Sequence, residues 1–188
     1  MSESIKGKRV AVMVANEGVE QIEMTAPIEA LKNAGAEVDL IAPEHGEVQA
    51  FNHLDKADTF RVDHSLGEVN SGDYAALVLP GGVANPDQLR TEPKAVKFVK
   101  DFFSEGKPVG AICHAPWTLV EADVVEGRTL TSWPSLKTDI ENAGGTWVDE
   151  EVHVDQGFVT SRKPDDLEAF CSKVVEEIAE GRHAGQTA

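Results

Sequence analysis

The chain has 188 residues, 41% hydrophobic and 27% charged, which fits one folded domain with a covered sheet and excludes a disordered chain. Asp and Glu number 33 against 17 Lys and Arg, and the formal charge of −16 argues against direct nucleic-acid binding or docking to an anionic membrane. The polar start before Arg9 carries no apolar signal core, no apolar run approaches the roughly 20 residues of a membrane span, and Cys113 and Cys171 stand in unlike contexts, so the expectation is a cytoplasmic protein with free thiols.

Residues 10–15 (VAVMVA) form an unbroken apolar run of strand length. Residues 23–33 then place Met24, Ile28 and Leu31 at helical spacing before Gly35, and residues 37–42 return as a strand. Residues 43–72 are polar and broken, and read as a hairpin or loop. Residues 74–80 (YAALVLP) are the clearest buried strand. Residues 92–105 follow as a helix with Ala95, Val96, Val99, Phe102 and Phe103 on one face.

Residues 108–112 are another apolar strand and 115–122 a helix. A short strand at 129–132, a helix at 134–143 and a hairpin at 151–161 turning at Asp155-Gln156-Gly157 come next. The final helix, 164–180, begins with Pro164, Asp165 and Asp166 and carries a stripe of Leu167, Phe170, Cys171, Val174, Val175 and Ile178. Apolar strands alternating with helices imply a doubly wound α/β domain, with a largely parallel sheet covered by helices on both faces and a small added hairpin.

In such sheets ligands bind beyond the carboxyl ends of the strands. Three unusual segments fall there: 16–23, 81–87 and 113–116. In Ala111-Ile112-Cys113-His114-Ala115 an apolar strand runs into a cysteine and a helix follows at once, with small residues two positions to either side. That is the pattern of a nucleophile elbow, where helix-start N–H groups favour a thiolate. An inert core thiol is the competing account. His114 is either a polar residue at the turn or a general base or imidazolium partner.

Glu17, Glu20 and Glu23 suit a first helical turn, and one of them facing the thiol would share a proton with it. These residues do not say which. Gly81-Gly82 permits backbone N–H groups to approach a ligand, as an oxyanion hole requires. No phosphate-binding glycine motif occurs. His45, His53, His64, His153 and His183 form no short ligand pair with cysteine and read as surface or loop residues, so neither a metal nor a cofactor is expected. Cys171 reads as core.

The pattern resembles the ThiJ/PfpI superfamily, through AICHAP at 111–116, LVLPGG at 77–82 and E-x-x-x-P from Glu23 to Pro27. A general likeness runs from about Lys8 to Glu180 and is nearest to the PfpI-type intracellular protease and general-stress branch. The resemblance implies a flavodoxin-like, class I glutamine-amidotransferase-like fold. It puts the reactive cysteine on Cys113, its histidine on His114, the proton-sharing acid on Glu23 and the oxyanion N–H groups on Gly82 and His114. An acid supplied by a neighbouring subunit would fall on Asp87, an Asp in place of Glu. It further implies hydrolase or glyoxalase–deglycase chemistry on a small reactive carbonyl or a glycated protein or peptide, in a homodimer or larger homo-oligomer. An oligomeric peptidase and a redox sensor or chaperone acting through oxidation of Cys113 are the alternatives.

Overall fold

The computed structural model describes residues 4–186, so the ends of the expected domain, 1–3 and 187–188, lie outside the described residues. Strand β1 (Arg9–Met13) is split by its pleat: Val10 and Val12 pack on one side of the sheet, Ala11 and Met13 on the other. The next segment departs from expectation. Residues expected to lead straight into a helix form β2 (Glu17–Glu20), and α1 (Gln21–Asn33) starts only after it. Val19 is fully buried there, and that burial holds a strand in an otherwise acidic stretch.

Strand β3 (Glu37–Ala42) returns beside β1. The ambiguous region resolves into a hairpin, β4 (Glu47–Asn52) and β5 (Asp55–Arg61), followed by the short β6 (His64–Ser65). Strand β4 pairs parallel with β2, so β2, β4 and β5 make a separate three-stranded sheet over the carboxyl end of β1. After β7 (Ala76–Leu79), the glycine loop enters a six-residue helix, α2 (Ala84–Leu89), where only a loop was expected.

Helix α3 (Pro93–Ser104) starts with the Glu92 side chain accepting from the Lys94 N–H. It buries Ala95, Phe98, Val99, Phe102 and Phe103, with Phe98 taking the buried place expected for Val96. Strand β8 (Val109–Ile112) leads into α4 (Pro116–Glu121). The short β9 (Thr129–Leu130) pairs with β10 (Thr146–Trp147) across α5 (Lys137–Asn142), outside the main sheet. The expected hairpin is β11 (Val152–Asp155) and β12 (Phe158–Ser161), and α6 (Leu167–Glu180) follows a 3-10 turn at Pro164–Asp166.

The main sheet has seven strands in the order β11-β12-β8-β7-β1-β3-β6, all parallel except the edge strand β11. Helices α1 and α6 cover one face and α2 to α5 the other, each over its own apolar core. The chain passes from β1 to β3 on one side and to β7 on the other, so the order reverses between β1 and β7. The crevice beyond their carboxyl ends is where such a sheet accepts ligands.

Candidate active site

Strand β8 ends at Cys113, which has φ +63°, a left-handed conformation that costs a non-glycine residue of order 1–3 kcal/mol. The surroundings impose it. The Cys113 N–H donates to the Ser161 carbonyl at 3.1 Å, the Cys113 carbonyl accepts from Trp133 at 2.9 Å, and Ala115 N–H donates to Ile112 at 3.1 Å. The chain therefore bends sharply from strand to helix, and the side chain opens on a cleft of about 700 Å³. The strand–cysteine–helix pattern is thus an elbow in three dimensions.

Of the three acids, Glu23 is the one placed beside the thiol. It is fully buried in the first turn of α1, and its Oε2 accepts from the Gly81 N–H at 3.0 Å. The other oxygen, Oε1, has no hydrogen-bond partner. Pro27 lies four residues on, inside the same helix, and has no N–H to give the Glu23 carbonyl. Glu17 and Glu20 lie on β2 instead of the helical turn expected for them; Glu20 accepts from the His53 N–H at 2.9 Å.

Gly81 must be glycine. A Cβ there would lie 2.6 Å from the Cys113 Cβ and 2.8 Å from the Ile112 carbonyl, and would also strike Glu23 Oε2. Gly82, at φ +81°, follows, and its N–H and that of His114 are near enough to the Cys113 sulfur to favour its thiolate. The fully buried Asn85 fixes this loop. Its Oδ1 accepts from the Ala15 N–H at 2.6 Å, while Nδ2 donates to the carbonyls of Pro80 and Gly81 at 2.9 and 3.0 Å.

Charge in the site follows from burial. Burial pushes Glu23 up to about 7, and the nearby Glu20 charge adds to this; contacts with Cys113, Gly81 and Gly82 oppose it. Burial and the Glu23 charge push the Cys113 thiol up, while the N–H groups of Gly82 and His114 pull it down. His114 Nδ1 lies 3.1 Å from Sγ. Its ring packs between Trp117 and Trp133, and burial lowers its pKa to about 4. That shift favours the neutral ring over the imidazolium near pH 7, since no carboxylate among the described residues pairs with it to offset the desolvation.

The remaining expected residues divide. Asp87 is exposed on α2 and does not line the cleft; the neighbouring Gln88 does, and donates to the Glu17 carbonyl at 3.1 Å. Cys171 is half-buried beside the core, and burial pushes its thiol up to about 11. His45 and His53 are exposed, and His64 and His153 lie beside Asp39 and Glu150. His183 lies in the loop after α6, partly buried against Glu177 and Glu180. Sequence reasoning missed Asn85 and the two tryptophans that enclose His114. The cleft walls are Phe51, His53 and Leu54 from the small sheet, facing Trp133 and Pro164. Among the described residues no helix is long and apolar enough to cross a membrane.

Fold and site together define a doubly wound α/β protein with a cysteine on a strand-to-helix elbow beside a buried glutamate. The chain belongs to the DJ-1/PfpI family, whose model matches residues 8–177. It is 44% identical over 165 residues to general stress protein 18 of Bacillus subtilis, covering 87% of this chain and 94% of that one. It is 42% identical over 164 residues to protein/nucleic acid deglycase 2 of Escherichia coli, covering 87% and 93%. Among solved structures, Drosophila melanogaster DJ-1beta superposes with a TM-score of 0.84 at 30% identity, over 92% of this chain and 91% of that one.

Proposed function

We propose that the protein is a stress-response cysteine enzyme acting on reactive carbonyls, either free α-oxoaldehydes or their adducts on proteins and peptides. The carrying observation is the position of Cys113: a thiol forced into the left-handed region at the floor of the cleft, in contact with a buried carboxyl. The similarity to a deglycase and to a general stress protein supports the same reading.

Thiol and carboxyl hold one proton between them, because two buried anions in contact are unfavourable. The Cys113 proton passes to Glu23, and the thiolate forms an S–C bond to the aldehyde carbon. The displaced carbonyl electrons collect on oxygen, facing the N–H groups of Gly82 and His114. Glu23 protonates that oxygen to give a hemithioacetal. A proton then moves from the aldehyde carbon to the neighbouring ketone carbon through an enediol, with neutral His114 or Glu23 as carrier. This leaves a thioester, and water cleaves the C–S bond to release a 2-hydroxy acid and regenerate the thiol. One substrate carbon is oxidised and its neighbour reduced, so no external oxidant is required. In a protein adduct the C–N bond to the amine also breaks.

Purified protein is expected to turn over methylglyoxal, and Cys113→Ala to lose the activity while keeping its circular-dichroism spectrum. Equal rates, or none in either, would overturn the reading. Peptide hydrolysis without carbonyl turnover would instead favour the peptidase alternative. That alternative needs assembly, since Asp87 is exposed and could meet His114 only in another copy; size-exclusion chromatography with light scattering, beside Asp87→Asn, tests it.

A further inference from the structure

We propose that Glu177, Glu180 and His183 form a binding site for a borderline divalent ion, with zinc the best fit, at the edge of the sheet opposite the thiol. His183 packs against the segments that precede β8 and β12, whose far ends carry Cys113 and Ser161. Its N–H donates to the Gly106 carbonyl at 2.8 Å.

The donor atoms are already gathered. One carboxylate oxygen each from Glu177 and Glu180 and one ring nitrogen of His183 all lie within 4.8 Å of one another. The nitrogen is 3.1 Å from the Glu177 oxygen and 4.0 Å from the Glu180 oxygen. Ligand bonds of about 2.0–2.2 Å set neighbouring donors on one zinc ion roughly 3–4 Å apart. Two carboxylates and an imidazole are a donor set suited to zinc and similar ions, with water completing the shell.

A second observation points to a missing partner. His183 Nε2 is buried and makes no hydrogen bond, although a carboxylate oxygen is 3.1 Å away. That oxygen lies off the axis along which the nitrogen would donate or accept. Two ligands of one ion stand in this relation, because the ion occupies the nitrogen's axis and the carboxylate approaches from the side. Glu177 is only 6% exposed and has no hydrogen-bond donor among the described residues beyond this misaligned pairing. A buried carboxylate and a buried unpaired nitrogen each carry a desolvation cost that a shared cation removes.

The fold pre-sets these groups. Glu177 and Glu180 lie one turn apart on α6, and Gly181, at φ +93°, reverses the chain so that His183 folds back on them. The imidazole rests against Gly157, where a Cβ would come within 2.5 Å of its Cδ2. The fully buried Gln186, with both amide atoms unpartnered, packs on the same glycine. The Arg128 guanidinium donates to the Gln186 carbonyl and holds the tail in place. A bound ion would clamp residues 181–186 to the end of α6.

The test uses the full chain carrying Cys113→Ala, which removes the cleft thiol as a competing zinc ligand, stripped with a chelator and titrated with zinc against a chromophoric competitor. One ion per chain is expected, with a rise in melting temperature. Added His183→Gln should weaken binding about tenfold or more and abolish that rise. Added Glu180→Gln, an exposed and fold-neutral change, should weaken it several-fold. Unchanged zinc affinity in both variants, or no binding by the parent at micromolar zinc, would overturn the proposal. If His183→Gln fails to fold, Glu180→Gln alone decides. None of these readouts depends on the chemistry at Cys113.

Discussion

Gly81 is wedged between Glu23 and Cys113: its N–H donates to the carboxyl at 3.0 Å, and its Cα leaves no room for a side chain before the Cys113 Cβ. Gly81→Ala must push the carboxyl and the thiol apart. Overpacking of this kind costs about 1–3 kcal/mol. The expected result is a lower denaturant midpoint together with near-complete loss of carbonyl turnover. A variant with parental activity would show that the close spacing is not required.

Glu23 and His114 respond to acid with opposite signs. The folded chain holds the Glu23 proton more tightly than the unfolded one, about 7 against 4.5, so this contribution is full below 4.5 and is lost as pH rises through 7. His114 is harder to protonate when folded, about 4 against 6.5, so its contribution is present above 6.5 and is lost as pH falls towards 4. The two windows overlap and largely offset. His114→Gln should gain stability relative to the parent as pH falls from 7.5 to 5, while Glu23→Gln should lose it. Urea midpoints at the two pH values check both slopes.

Trp133 lies nearly parallel to the His114 ring, with 22° between planes and 5.6 Å between centroids, and is itself 38% exposed. Trp133→Ala would admit water to the imidazole and move its pKa up from about 4 towards 6.5. An NMR titration of the ring protons reads this directly. An unmoved titration would mean that Trp117 and the protein beneath supply the burial.

Asn85 ties the end of β1 to the loop that carries Gly81 and Gly82 through three buried hydrogen bonds. Asn85→Ala strands one donor and two acceptors, at about 1–3 kcal/mol for each group left unpaired. Thermal unfolding should show the loss. Turnover should fall through kcat more than KM, because the proposed reaction uses the loop N–H groups to hold the reacting oxygen and not to bind the substrate.

The parallel sheet and the elbow were legible because buried strands must be written as unbroken apolar runs, and a cysteine directly after one stands out. The acid beside the thiol was less so. Glu17, Glu20 and Glu23 are chemically alike, and only the resemblance through Pro27 singled out Glu23; its burial then separated it from the other two. Strand β2 was hidden because its acidic composition opposes strand formation until Val19 finds a core. Helix α2 spans six residues, too few to show a period, and Asn85 inside it reads as a turn residue. The Glu177–His183 pair arises only when Gly181 reverses the chain.

Phe51, His53 and Leu54 reach the cleft from the β4–β5 hairpin, which is hydrogen-bonded to β2 and not to the sheet that positions Cys113. Leu54, at the hairpin tip, is 94% exposed. The reactive floor and the discriminating wall thus belong to separate hydrogen-bonded units, joined mainly through β2. Substitutions in the hairpin can therefore reshape the mouth of the cleft without disturbing the strand-to-helix bend that sets the thiol.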